Sequence, residues 1–363
     1  MPLTLDTYRQ LGRSGLRVSP LALGAATFGN DWGWGAERDE ARRLFDLYVE
    51  RGGNFIDTAV TYTNGTSERM LGEFAKHRRD SLVLATKYTT LRRPEDPNSG
   101  GASRKSLFGA VETSLRQLGT DYIDLLYLHV WDPSTPVEEV LRGLDDLVRQ
   151  GKVLYVAISN TPAWQVARLQ TIADLRGWAP LVALQLEYNL IERTGERDLL
   201  PMARELGMGT VLWSPLAGGV LTGKYSRADL AASSPGASPV SSSPVKGESI
   251  RKSFNVALGG VTERSLAIAD VVKEVAAEIN RTPAQVGLAW TLQNPGVTAP
   301  VVGARTIAQL QENLGALEVD LSAGQVARLD EVSAIDLGFP HAMLASDHIR
   351  VQTRGDLKIQ ARA

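Results

Sequence analysis

Residues 123–129 read Ile123-Asp124-Leu125-Leu126-Tyr127-Leu128-His129. A short, nearly continuous apolar run is the signature of a strand buried on both faces, and its polar groups collect at the end. Two earlier stretches repeat the pattern. Asn54-Phe55-Ile56 closes on Asp57, with Tyr62 five residues on, and Leu82-Val83-Leu84-Ala85-Thr86 closes on Lys87. If these strands lie side by side and parallel, a carboxylate, a phenol, an amine and an imidazole meet at one rim.

The same rhythm of apolar run, loop and amphipathic stretch extends along the chain. Apolar runs at 21–23, 54–56, 82–85, 123–128, 153–158, 181–186, 209–213 and 298–302 predict eight strands. Helical spacing predicts helices over 40–50, 67–77, 106–118, 137–150, 162–175, 197–206, 262–279, 283–293 and 307–317. Gly119, Gly151 and Gly207 supply stops, and Pro162 sits in a first turn. Eight alternations favour an α/β fold of the closed (β/α)8 TIM-barrel type over an open doubly wound sheet. Residues 8–19 alternate around Gly12 and Gly15 and predict an N-terminal β-hairpin that plugs the bottom of the barrel. Long Pro/Ser/Gly-rich loops follow strand 3 (91–103) and strand 7 (231–244); the first is expected to shape the site. Residues 1–335 read as one domain and 336–363 as a C-terminal tail.

Composition narrows the function. The chain has 363 residues, 43% hydrophobic, with net charge −2 and no cysteine. Near-neutral charge argues against nucleic acid or an anionic membrane as partner. Without cysteine there are no disulfides or thiolate ligands, which suits a cytoplasmic protein. No apolar run spans a bilayer, no signal peptide opens the chain, and His77, His129, His341 and His348 do not space as metal ligands.

Asp57, Tyr62, Lys87 and His129 together suit proton donation to a developing oxyanion. A phenol has a reference pKa of about 10, and a lysine cation beside it favours the phenolate and lowers that value. Asp57 would keep Lys87 charged, and a neutral His129 would orient a carbonyl oxygen. The hydride must come from a cofactor. Taken singly, each residue has a plainer reading: Asp57 as a turn residue, His129 as a structural histidine, Tyr62 as a rim shield, Lys87 as a solvated cation or a Schiff-base lysine.

The run Asp57-Thr58-Ala59-Val60-Thr61-Tyr62, Lys87 after its strand, and Leu125-Leu126-Tyr127-Leu128-His129 resemble the aldo-keto reductases over residues 8–335. Trp213-Ser214-Pro215-Leu216 resembles the branch related to aryl-alcohol dehydrogenases and potassium-channel β subunits. The resemblance implies a barrel reducing aldehydes or ketones reversibly with NADPH in preference to NADH, Tyr62 being the acid, Asp57 and Lys87 tuning it, and His129 positioning the carbonyl. No Gly-x-Gly-x-x-Gly follows a strand. The implied cofactor cradle is instead Ser159, Asn160 and Gln185 at the carboxamide, Trp213 stacked on the nicotinamide, and Ser214, Pro215, Leu216, Ala217, Leu221, Gly223 and Lys224 along the pyrophosphate. Val302 and Gly303 would line the cofactor where the eighth strand ends and a helix opens, Arg305 would pair with the 2′-phosphate, and Gln309, Glu312 and Asn313 would hold the adenosine, with Arg251 as a further clamp. Gly24, Ala25 and Ala26 stand where the family often has Gly-Thr, so a hydroxyl contact is missing there. Gly223 and Gly303 also read as turn glycines. The aromatics Trp32, Trp34, Tyr88 and Trp131, with Tyr62 and His129, would receive a flat or bulky carbonyl. Alternatives are a redox-sensing regulatory subunit with little turnover and a Schiff-base aldolase using Lys87.

Overall fold

In the computed structural model, residues 3–231, 260–355 and 357 are described. A hairpin comes first, β1 (Arg9–Gln10) antiparallel to β2 (Arg17–Val18). Eight parallel strands then close into a barrel: β3 (Ala22–Gly24), β4 (Phe55–Asp57), β5 (Val83–Tyr88), β6 (Ile123–Leu128), β7 (Val153–Ser159), β8 (Leu181–Glu187), β9 (Gly209–Trp213) and β10 (Ala299–Gly303), with β10 pairing back onto β3. The expected strands are all present, two of them (123–128 and 209–213) with the expected ends and the others with ends shifted by at most three residues.

Alternation decides what each strand points inward. Phe55, Val83, Ala85, Leu125, Tyr127, Ala157, Ala183, Val211 and Ala299 share one buried cluster that also holds Leu11 and Val18 of the hairpin segment. This is the barrel interior, closed at its amino end by the hairpin. Gly12 makes the closure possible: at φ +59° a Cβ there would lie 2.6 Å from the Gly207 carbonyl oxygen, and Arg13 N donates to that same oxygen at 2.9 Å. Counting by twos from the interior residues reaches Asp57, Lys87, His129, Ser159, Gln185 and Trp213 at the opposite rim. The outward residues, such as Ile56, Leu84, Leu126 and Ile158, pack under the helices in two larger clusters.

The helices that matter for the site are α1 (Arg38–Glu50), α2 (Thr66–Ala75), α3 (Arg104–Leu118), α4 (Val137–Arg149) and α5 (Ala163–Arg176). Helix Ile307–Leu314 ends earlier than expected, and a 3-10 turn continues through Gly315–Glu318. Loop 91–103 is pinned. Ser99 is fully buried, Arg92 donates to its carbonyl at 3.0 Å, and Asp132 accepts from Ala102 N at 2.8 Å. The loop therefore packs on α3 and against Asp132 in the connection after β6, and none of its residues lines the cavity described below, contrary to expectation. Of loop 231–244 only residue 231 is described; the rest, and Arg251, lie outside the described residues. The tail carries two short helices, His341–Leu344 and Asp347–Arg354.

Candidate active site

Asp57 is the last residue of β4, and the chain after it is laid against β5. Thr58 N donates to the Ala85 carbonyl at 2.9 Å and Val60 N to the Lys87 carbonyl at 3.2 Å. A tight turn over Tyr62–Gly65 follows, with Thr63, Asn64 and Gly65 all left-handed (φ 46°, 53° and 82°). That strained turn aims the Tyr62 ring back over the barrel mouth.

The four polar groups meet. Lys87 and Asp57 Oδ1 form a buried ion pair, their side chains 0% and 5% exposed. Lys87 Nζ also donates to the Thr58 carbonyl at 2.8 Å and reaches Tyr62 Oη at 3.5 Å. Gln185 Nε2 donates to Asp57 Oδ2 at 2.8 Å. Tyr62 Oη lies 3.5 Å from His129 Nε2, the two rings edge to face. A hydroxyl with a cation on one side and an imidazole on the other can pass a proton to an acceptor placed between Tyr62 and His129.

Burial dominates the electrostatics. His129 is pushed down to about 3, by burial first and then by Lys87, so its ring is neutral. For Tyr62 burial outweighs the Lys87 cation, with Asp57 adding to the rise, and the phenol sits above its ordinary value. The lowering expected from Lys87 is outweighed, because the low dielectric that strengthens Lys87 also penalises the phenolate itself. Lys87 is opposed by its own burial, yet the Asp57 and Tyr62 charges prevail and raise it.

Above these groups lies a cavity of about 630 Å³, within the range of small-molecule and cofactor sites. Asp57, Tyr62, His129, Asn160 and Gln185 form its floor. Trp34 stands on one wall and Trp213-Ser214-Pro215-Leu216 on another, with Lys224 beyond. Gly24, Ala26, Val302, Gly303 and Arg305 bound the far end, with Gln309, Glu312 and Asn313 behind them. Arg305 sits where helix Ile307–Leu314 begins, and its backbone N–H donates to Gln309 Oε1 at 2.9 Å.

Several expected residues stand elsewhere. Tyr88 is fully buried in the outer cluster, because the residue after inward Lys87 must face outward. Ala25 is buried in the outer cluster for the same reason. Trp131 is half-buried and packs against the outer cluster. Leu221 is core, and Gly223 (φ +79°) serves a turn against Lys273, so its turn reading holds. Ala217 is left-handed (φ +49°) and packs on the core rather than lining the cavity. Trp32 is not in the wall; it stands at the mouth with its ring centre 6.0 Å from those of both Tyr62 and Trp34. Thr27, Gly218, Gly219, Thr222, Ala284, Val301 and Ala304 line the cavity without having been expected. Of these only the Gly218-Gly219 pair carried a local signal, as a turn; Thr27, whose hydroxyl donates to the Ala304 carbonyl at 2.9 Å, joins the site through tertiary contact.

The cavity suits a nicotinamide dinucleotide. Ser159 pairs with Gln185 in the β7–β8 register, and its buried Oγ has no hydrogen-bond partner, an orphan beside the amides of Asn160 and Gln185. A Cβ at Gly24 would stand 2.8 Å from Val301, so only glycine keeps that part of the cradle open. Among the described residues there is no group of three metal-ligating side chains, and no helix is long and apolar enough to cross a membrane.

Comparison with known proteins agrees with the barrel fold. The aldo/keto reductase family model matches residues 20–334. The chain is 37% identical over 352 residues to a norsolorinic acid reductase of Aspergillus flavus, covering 93% of this chain and 84% of that protein. It is 36% identical over 358 residues to an aryl-alcohol dehydrogenase [NADP(+)] of Phanerodontia chrysosporium, covering 94% and 90%. An aldo-keto reductase of Emericella nidulans is 36% identical over 359 residues, covering 95% and 86%. The chain belongs to the aldo-keto reductases, a family of oxidoreductases built on the TIM barrel.

Proposed function

We propose that this chain is a cytoplasmic NADPH-dependent reductase of aldehydes and ketones, working reversibly with NADP⁺, and that residues 1–335 form its single domain with 336–363 as a tail. The observation that carries the reading is the placement of Tyr62 Oη, 3.5 Å from both Lys87 Nζ and His129 Nε2 on the floor of a cavity large enough for a cofactor. When bound, reduced nicotinamide would supply the hydride. Asn160, Gln185 and Ser159 would hold its carboxamide, Trp213 its ring, and Arg305 the 2′-phosphate.

This chain's residues do the rest. A carbonyl oxygen seated between Tyr62 and His129 takes a hydrogen bond from each. His129 must carry its proton on Nε2 to do so, which leaves Nδ1 bare; Nδ1 is buried without a partner, and a bare acceptor is the lesser cost there. As negative charge grows on the oxygen, Tyr62 gives up its proton, and the buried Lys87 cation stabilises the phenolate left behind. Asp57 keeps Lys87 charged and in place. Trp34 in the wall and Trp32 at the mouth offer flat apolar faces to an aromatic or bulky carbonyl. The Schiff-base alternative is disfavoured because Lys87 is fully buried, ion-paired and held protonated, the reverse of a nucleophilic amine.

A panel of aryl aldehydes, sugars and bulky ketones, scored by NADPH oxidation, tests the reading. Turnover with at least one carbonyl class is expected; absence of oxidation across the panel by a folded, NADPH-binding protein would leave the redox-sensing alternative.

A further inference from the structure

Asn160 closes β7 in a left-handed conformation, φ +44°. Its side chain is clamped at both ends. Trp213 Nε1 donates to Oδ1 at 2.9 Å, and Nδ2 donates to the His129 carbonyl at 2.9 Å. An indole N–H only donates and a peptide carbonyl only accepts, so the two partners fix which end of the amide is nitrogen. The backbone is held at the same point: Asn160 N donates to the Gln185 carbonyl and Trp131 N to the Asn160 carbonyl, both at 3.3 Å. Trp213, Asn160 and His129 come from the ends of β9, β7 and β6, and all three line the cavity. A continuous hydrogen-bonded line therefore runs from the aromatic wall to the backbone of the residue whose imidazole faces Tyr62.

We propose that Trp213 is a positioning residue for His129, acting through Asn160, so that the seat of the nicotinamide and the aim of the imidazole are coupled. The ligand half of this statement rests on the dinucleotide reading above. With one bond made at each end, the Asn160 amide keeps one N–H and one lone pair for a carboxamide. A ligand that takes them acts on the same amide that holds the His129 carbonyl. Trp213 thus has two separable parts: a ring face for stacking and an N–H for holding Asn160.

Trp213→Phe keeps an aromatic face and removes the N–H. Asn160→Gly removes the amide and accepts the left-handed backbone. The chain has four histidines, so the His129 ring signals can be assigned in nitrogen–proton correlation spectra against His129→Asn. In ligand-free protein each single substitution is expected to displace those signals, and the double variant to move them no further than Asn160→Gly alone. Unmoved signals in Trp213→Phe, or full additivity in the double variant, would overturn the proposal. Calorimetry supplies the ligand arm. Trp213→Phe is expected to weaken NADP⁺ about tenfold, as loss of a hydrogen bond's worth of preorganisation would, and to leave 2′-phospho-ADP-ribose within about twofold. Equal weakening of both would overturn the coupling. If neither ligand bound the unaltered protein, the dinucleotide reading would fall, while the histidine spectra would still decide the positioning role.

Discussion

At the scale of single residues, burial sets the chemistry more than pairing does. His129 is neutral because it is buried beside a cation, and Tyr62 stays protonated because its phenolate would be buried too. Glu68, in the first turn of α2, shows the same effect away from the reacting atoms. It is fully buried, accepts from the Thr86 hydroxyl at 2.5 Å, and leaves Oε2 without a partner. Burial raises its carboxyl to about 7, against the opposing pull of the Thr86 hydroxyl and the Arg69 and Lys87 charges. A raised acid binds its proton more tightly folded than unfolded. Stability should therefore fall as pH climbs from the unfolded value near 4.5 to about 7, then level off. Glu68→Gln removes this penalty: at pH 8 it is expected to gain on the unaltered protein by an amount on the order of 3 kcal/mol, and at pH 5 much less. Thermal unfolding at the two pH values checks this; an equal shift at both would show that ionisation of Glu68 costs nothing in the fold.

Among the elements, the loop between β3 and α1 is tightly constrained. Gly35 has φ +154°, and a Cβ there would fall 1.9 Å from the Gly29 carbonyl oxygen. Gly29 N and Ala36 N close the loop across its neck at 2.9 and 2.7 Å. Thr63 and Thr66 tie it to the Tyr62 turn through the Phe28 carbonyl at 2.6 Å and Asp31 at 3.2 Å. Trp34 is thus offered on a loop closed at its neck and tied to the Tyr62 turn. Trp34→Ala is expected to raise KM for a flat aryl aldehyde about tenfold, the worth of one aromatic contact, while a small aliphatic aldehyde is little affected. Steady-state kinetics with the two substrates decide it, and equal losses would mean that Trp34 shapes the site without touching substrate.

On the scale of the whole molecule, most of the fold was legible because a barrel repeats one local unit. Each strand's inward set could be counted in twos from its apolar core, and that count delivers Asp57, Lys87, His129, Ser159 and Gln185 to one rim. Where the count was not applied, as at Tyr88 and Ala25, the expectation failed. Other losses came from tertiary contact that leaves no local trace: Thr27 reaching Ala304, Trp131 packing against the core, loop 91–103 folding down on α3. The far end of the cavity depends on the family resemblance, since Arg305 by itself reads as a surface charge. Arg305→Ala is expected to weaken NADPH by at least about tenfold while NADH changes little, as loss of a charge-assisted phosphate contact would do. Equal Kd changes for the two cofactors would remove Arg305 from the 2′-phosphate.

The whole account turns on Tyr62 as the proton donor beside a bound dinucleotide. Tyr62→Phe tests it most directly, with NADPH binding followed by nicotinamide fluorescence and carbonyl reduction followed in the same samples. The account predicts NADPH binding within about twofold of the unaltered protein and turnover reduced by a factor on the order of a thousand. Turnover near that of the unaltered protein would contradict it.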